Sequence, residues 1–275
     1  MRLAIVAVAA FGALCAGAAQ AAPAIEIRDA VVRVVVIPED RADVKVEMLT
    51  TNRDLPLQVR QTASGAVIDG GLHHRIRDCH AREENPSVSV RGVGRVDYKD
   101  MPQMVIHAPK AVTLETNGAV FGAIGRSASL DIDNSGCSAW TVADVAGDAV
   151  LRDSGVGALR LGQAGRLDVR MSGASNVHAT RVGGLDATLS GAGGLTVNEL
   201  NGPMRASVSG VGRIKVLQGE AGAVRAAVSG VGGVDFGGRA QSLDAQVSGI
   251  GGVRVKTVTG QVTKSVSGIG HVTVG

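Results

Sequence analysis

The sequence LDAQVSGIGGVRVKTVTGQ, residues 243–261, contains one complete unit of a repeat that fills the second half of the chain. Its apolar residues alternate with polar ones, and the alternation is broken once, at the Gly-Ile-Gly step. Alternation with period two is typical of β-strands, and glycine permits a tight turn through positive φ. Each unit is therefore predicted to be two or three short strands joined by tight turns.

The marker of the repeat is a glycine that recurs every 18–20 residues and follows a serine from residue 136 onward. A short fixed period indicates stacked, nearly identical units, because one unit cannot bury its apolar side chains alone. The predicted fold is all-β: a right-handed parallel β-helix, or β-solenoid, of about nine coils with an irregular β-rich N-terminal cap. The turn glycines are Gly118, Gly136, Gly155, Gly173, Gly191, Gly210, Gly230, Gly249 and Gly268.

The start of the chain has the pattern of an export signal. Arg2 precedes an apolar stretch, and Ala19-Gln20-Ala21 forms a small-x-small cleavage site, so residues 1–21 are predicted to be a signal peptide. No later segment is a candidate to span a membrane. We therefore expect an exported protein, in the periplasm or at the cell surface.

The mature chain divides into two parts by regularity. Residues 22–110 are β-rich but irregular, and we predict that they form a cap and irregular first coils. The alternative is that they form an independent domain. Residues 111–275 are predicted to form the regular solenoid.

The net charge is only +3, with acids and bases interspersed, which argues against nucleic acid as a partner.

Several stretches together resemble a known family. They are VVRVVVIPEDRADVKVEMLTTNRDLPLQV at residues 31–59 and the repeated VSGVGRIKV, VSGVGGVDF and VSGIGGVRV. This set is similar to the head GIN domain family, whose members are labelled autotransporter adhesin heads. The resemblance covers residues 24–275. It implies a right-handed β-helix in the bacterial envelope and supplies no catalytic residues.

Aligning the units on the repeat glycine predicts which side chains face the core. Positions four and six residues after the glycine are consistently apolar, which places Trp140 and Phe236 inside. Two residues before the glycine, the first three coils instead carry Thr116, Asn134 and Asp153. We expect these to form an inward polar stack, structural in role with the Trp140 indole as a donor, or alternatively to line a small polar cavity.

Cys79 and Cys137 remain after export, and an even count in an oxidising compartment predicts one disulfide. The alternative is that Cys137 is simply a buried small residue. Its column continues with Val156, Ala174, Ala192 and Val211, which we expect to point inward with it.

A weak metal candidate lies near the first of these cysteines. His73, His74, Cys79 and His80 fall within eight residues and could hold a transition metal. Their spacing matches no established zinc pattern, so a polar turn is the favoured interpretation.

No aligned column pairs an acid with a base, so the sequence predicts a non-enzymatic envelope protein without a cofactor, acting as a scaffold or adhesin-like binding surface. Its expected partner is an unknown envelope protein or glycan. The alternative is a polysaccharide-active β-helix enzyme, a lyase or hydrolase, that uses Asp131, Asp133 and neighbouring Arg or His residues near the N-terminal coils. The uncovered apolar residues of the last coil predict a homodimer through that coil, or an N-terminal segment folded back over it.

Overall fold

The computed structural model describes residues 23–62, 64–81 and 86–275, and nearly all regular structure in these ranges is β. The predicted signal peptide, residues 1–21, lies outside them. Short 3-10 turns occur at His73–Arg75 and Tyr98–Asp100, and none of the described helices is long and apolar enough to cross a membrane. The described strands are β1 (Ala24–Glu39), β2 (Lys45–Thr50), β3 (Gln58–Thr62), β4 (Gly65–Asp69), β5 (Ile76–His80), β6 (Ser87–Val90), β7 (Gly94–Asp97), β8 (Gln103–Pro109), β9 (Ala111–Ile124), β10 (Ser129–Asn134), β11 (Cys137–Val142), β12 (Val145–Asp153), β13 (Val156–Met171), β14 (Ala174–Val182), β15 (Leu185–Leu189), β16 (Ala192–Asn201), β17 (Met204–Val208), β18 (Val211–Val228), β19 (Val231–Val247), β20 (Ile250–Val258), β21 (Val262–Val266) and β22 (Ile269–Val274).

The strands stack in parallel into a β-solenoid of about nine coils, as the repeat predicts. Each coil contributes one strand to each of two parallel sheets. The first sheet has the order β4, the start of β1, the start of β9, β10, β12, the end of β13, β15, β17, the ends of β18 and β19, and β21. The second sheet has the order β8, the ends of β1 and β9, β11, the start of β13, β14, β16, the starts of β18 and β19, β20 and β22.

The core lies between the two sheets and consists of columns of side chains, one per coil. The positions four and six residues after the repeat glycine are buried from Trp140 to Val255, so the predicted inward placement of Trp140 and Phe236 is confirmed. A short third side closes each coil, where Ala164, Val182 and Leu200 stack in register and are buried.

The repeat glycines stand on one another along the corner between the sheets. A Cβ on Gly191 would come within 3.0 Å of the carbonyl oxygen of Gly173, and a Cβ on Gly210 would meet that of Gly191 in the same way. From Val156 to Ile250, the residue after each repeat glycine donates its N–H to the carbonyl oxygen of the repeat glycine one coil earlier, as Val211 does to Gly191 at 2.9 Å. The expected reason, a positive φ, is wrong for most of the set, because among the nine only Gly118 has one. Close backbone approach excludes side chains here.

The first strand of the chain lies inside the stack. β1 pairs with β4 and β8 on one side and with β9 on the other. β3 and β2 then pair antiparallel with β4 and β8 and form the outer edges of the two sheets. β1 and β2 follow each other in the chain but do not form a hairpin, because β8 lies between them. The domain division at residue 110 stays a prediction.

A separate three-stranded antiparallel sheet is inserted between β4 and β8 and contains β5, β6 and β7; we call it the inserted sheet. Its Gly92 and Gly94, with φ of +82° and +100°, form the turn between β6 and β7. This Gly-x-Gly is a hairpin turn and not an early solenoid corner, because its two flanking strands pair with each other.

The last coil is open to solvent. Val266 and Ile269 are exposed, while Val272 and Val274 pack partly against the core. Within the described residues no N-terminal segment folds back over this coil. Lys264 takes the core-facing position that alanine holds in the preceding coil, and its Nζ donates to the carbonyl oxygen of Val272 at 3.2 Å. A lysine at such a position discourages the addition of another strand.

Replacing a repeat glycine should be costly. We expect Gly191→Ala to lower the free energy of unfolding by about 1–3 kcal/mol, because the new Cβ forces apart two hydrogen-bonded backbones. The control is Gly222→Ala, since nothing lies closer than 4.0 Å to a Cβ at that exposed glycine and its φ is not positive. Urea unfolding followed by circular dichroism measures both variants; equal stability would contradict the proposed role of the corner.

Candidate binding surface

A row of apolar side chains runs along the outside of the second sheet. The residue directly after each repeat glycine points to solvent from the third regular coil onward, and we call these seven residues the apolar row. Its members are Val156, Ala174, Ala192, Val211, Val231, Ile250 and Ile269. The expectation that this column faces inward is wrong. Side chains alternate across a strand, so a column one residue after the glycine must oppose the buried columns four and six residues after it.

The members of the row lie in register on neighbouring strands. Val211 aligns with Ala192 on one side and with Val231 on the other, and these pairs belong to continuous parallel ladders. Val211 is 61% exposed and Ile269 is 81% exposed. With about 4.8 Å between coils, the row is roughly 30 Å long. A contiguous apolar strip of this kind is a usual mark of an interaction site.

The surroundings of the row make it flat. On one side it is bordered by the exposed serines that precede the repeat glycines, and on the other by a column that includes Gly194, Gly233 and Gly252. Arg213 also belongs to that column, and it donates to Asp235 at 2.9 Å, which neutralises its charge. From Val156 to Ile250, this column therefore places no unpaired charge beside the row.

The inserted sheet covers the beginning of the same column. Val31, Ala119 and Cys137 occupy the equivalent positions in the first coils and are buried with Val88 and Val90 of the inserted sheet in one apolar cluster. Cys137 is therefore buried from outside, by the inserted sheet, and not inside the solenoid.

The two cysteines lie at this contact. Cys79 of the inserted sheet and Cys137 of the second sheet face each other, with their Cα atoms 6.2 Å apart. A disulfide here would fasten the inserted sheet to the solenoid directly before the first exposed member of the apolar row.

A cleft of about 260 Å³ lies where the inserted sheet meets the second sheet. Tyr98 and Phe121 line it, with their ring centroids 6.4 Å apart in an edge-to-face arrangement. The guanidinium of Arg33 lies 5.0 Å from the Tyr98 ring, within cation–π range. Tyr98 is the aromatic side chain that sequence reasoning missed, since it lies outside the regular repeat.

The structure brings three of the four predicted stack residues together. Thr116 Oγ1 donates to Asn134 Oδ1 at 2.9 Å, and Asn134 Nδ2 donates to Asp153 Oδ1 at 3.1 Å. The backbone N–H of Gly155 also donates to Asp153 Oδ1, at 2.8 Å. Thr116 and Asn134 are buried, and Asp153 is half-buried. Each polar group thus has a partner, which fits the structural interpretation better than a cavity.

Trp140 does not belong to this stack. It lies on β11 in the second sheet, and its ring occupies the space where a side chain on Gly122 would stand. Its Nε1 is buried without a hydrogen-bond partner among the described residues. The expected donation to the polar stack is therefore wrong, because Trp140 and the stack are on different sheets.

The metal candidate is not assembled. Cys79 faces Cys137, and a disulfide there would remove its thiolate as a metal ligand. His73 is exposed at a positive φ of 35°, and its Nδ1 lies 3.0 Å from Asp29 Oδ2. No group of three or more His, Cys, Asp or Glu side chains in the described part of the chain is placed to hold a metal.

The carboxylates of the enzyme alternative lie on the outside of the first sheet. Asp131 is ion-paired with Arg152. Asp133 is exposed and forms a column with Glu115 and Glu26 on neighbouring strands. These last three line a shallow polar groove, a feature that the repeat alignment does not reveal because Glu26 lies outside the regular coils.

Breaking the polar stack should destabilise the solenoid. We expect Asp153→Ala to lower the free energy of unfolding by about 1–3 kcal/mol, because it leaves the buried amide of Asn134 without an acceptor. The exposed Asp133→Ala serves as the control and should unfold like the parent. An unchanged melting temperature for Asp153→Ala would count against the structural role.

The disulfide prediction is tested by mass spectrometry of a non-reduced digest, which should contain the peptides of Cys79 and Cys137 linked. The separation is 58 residues, for which chain entropy gives a stabilisation of about 4 kcal/mol. The double variant Cys79→Ser/Cys137→Ser should therefore unfold at lower urea concentration. Free thiols in the oxidised protein would contradict the bridge.

No protein-family model and no curated protein matches the chain. A solved structure is similar to it: a protein from Bacteroides fragilis named a putative adhesin, with 19% sequence identity and a TM-score of 0.37 over 92% of this chain and 91% of that one.

Proposed function

We propose that this chain is an exported, non-enzymatic solenoid that works as a scaffold or adhesin-like surface in the cell envelope. The observation that carries the proposal is the apolar row. Its seven members lie on a rigid sheet, so little conformational entropy is lost when a partner covers them. A protein or glycan of the envelope is the expected kind of partner.

Export is supported by two independent features. The N-terminal residues have the composition of a signal peptide, and Cys79 and Cys137 are placed to form a disulfide. Disulfides persist in oxidising compartments and are rare in the cytosol. A periplasmic and a cell-surface location both fit these features.

One observation favours the enzyme alternative. Glu26, Glu115 and Asp133 converge on an open groove, and polysaccharide-active β-helices use clustered carboxylates. Against this, the side chain of Glu26 lies 3.4 Å from Arg28, and Arg28 in turn contacts Asp69 at 2.9 Å. The simpler interpretation is that the groove is a polar surface whose negative charge is partly neutralised by Arg28.

We expect no enzymatic activity from the groove. The purified mature chain should release neither reducing ends nor unsaturated sugars from acidic and neutral polysaccharides, because Glu26 is ion-paired with Arg28 and the column of Glu26, Glu115 and Asp133 contains no histidine or lysine to act as a base. Activity that disappears in Asp133→Asn or Glu115→Gln would establish the enzyme alternative instead. Activity unaffected by both would point to a contaminant.

Binding through the apolar row is tested by co-sedimentation with isolated cell envelopes. The double variant Val231→Asp/Ile250→Asp should lose roughly tenfold or more in retention, because it places charges in the centre of an apolar contact. Ala227→Asp is the matched control, since Ala227 is equally a surface position but lies on the first sheet. Equal retention of all three proteins would contradict a binding role of the row.

A further inference from the structure

The apolar row continues a surface that is already covered. Its column begins with Val31, Ala119 and Cys137, which the inserted sheet buries with valine side chains. The seven members from Val156 onward have the same chemistry and the same spacing but no cover among the described residues. Whatever covers them must present short apolar side chains at the interval of the coils, about 4.8 Å.

A second copy of this row presents short apolar side chains at the required interval, because both copies have the same spacing between coils. When two rows are aligned face to face and antiparallel, the two alanines of each row stand opposite larger side chains of the other. The resulting opposed pairs are Val156 with Ile269, Ala174 with Ile250, Ala192 with Val231, and Val211 with its own copy. Such alternation of large and small residues lets two flat surfaces interdigitate.

We propose that a second copy of this chain covers the apolar row, through an antiparallel two-fold interface whose axis passes beside Val211. This inference rests on the proposed function, and it names the molecule that binds the apolar row. An interface of this kind is isologous and closes with two copies.

The charges beside the row allow this pairing. The axis brings Arg213 near its own copy, but each Arg213 is already paired with Asp235 at 2.9 Å. The bordering serine hydroxyls can donate and accept equally, so two serine columns are compatible with each other. No like-charge repulsion therefore opposes the antiparallel arrangement at its centre.

The inserted sheet sets the register. It stands on the column directly before Val156, so the partner's last coil would abut it when Ile269 lies opposite Val156. A slip by one coil would either press the partner against the inserted sheet or uncover one end of each row.

The contact area indicates a reversible dimer. A strip roughly 30 Å long and about 17 Å wide, five residues of a strand, offers about 500 Å² per copy and 1,000 Å² in total. This is near the lower limit for specific interfaces, where dissociation constants in the micromolar range are common.

The test uses cross-linking across the two-fold axis. Under oxidising conditions, Val211→Cys should form a covalent dimer, because the two new thiols lie beside the axis. Ala227→Cys on the first sheet is the control and should remain mostly monomeric. Efficient cross-linking of both variants to the same extent would mean random collision and would overturn the proposal.

Sedimentation equilibrium of the mature chain supplies the second readout. The mass should rise from monomer to dimer with concentration, and Val231→Asp should weaken the dimer roughly tenfold or more. Val272→Asp, in the last coil, should leave it intact. A wild-type monomer at every concentration refutes the dimer, and loss of the dimer only in Val272→Asp assigns it to the C-terminal coil instead. If the dimer is absent while envelope retention still depends on the row, the proposed function stands and the second copy as partner does not.

Discussion

The stacking of one glycine on another at the corner of the coil is the contact on which the rest of the solenoid depends. There the backbone of each coil approaches the previous coil too closely for any side chain, and the N–H of the next residue bonds to the glycine carbonyl. This contact fixes the point at which every coil turns from the first sheet to the second. Once the turning point is fixed, alternation along the strand decides which residues face the core.

This dependence explains what the sequence could and could not predict in the regular coils. The period and the alternation were sufficient for the solenoid, for the inward columns of Trp140 and Phe236, and for the stack of Thr116, Asn134 and Asp153. The column of Cys137 is apolar in composition and therefore resembles a core column, although it faces outward. An odd offset from the buried positions places it outside, and counting the offset would have found the apolar row.

The irregular coils were harder to predict for a physical reason. β1 is paired with strands that follow it by at least 26 residues, and the inserted sheet packs on coils that precede and follow it. Neither arrangement produces a periodic pattern in the sequence, since each depends on contacts between segments that are distant in the chain. The same holds for the acidic groove, in which Glu26 meets Glu115 only because β1 lies beside β9.

The position of β1 also has a consequence for how the chain comes to be folded. Because synthesis proceeds from the N-terminus, β1 emerges first, and the strands that flank it, β4, β8 and β9, emerge only afterwards. Until then the segment VVRVVVI is an apolar strand with two open edges, the kind of segment that associates with other chains. Each regular coil can pair with the coil that precedes it in the chain, whereas β1 has no pairing partner until later strands have emerged. The N-terminal coils are thus the part of this molecule for which protection by a chaperone would matter most.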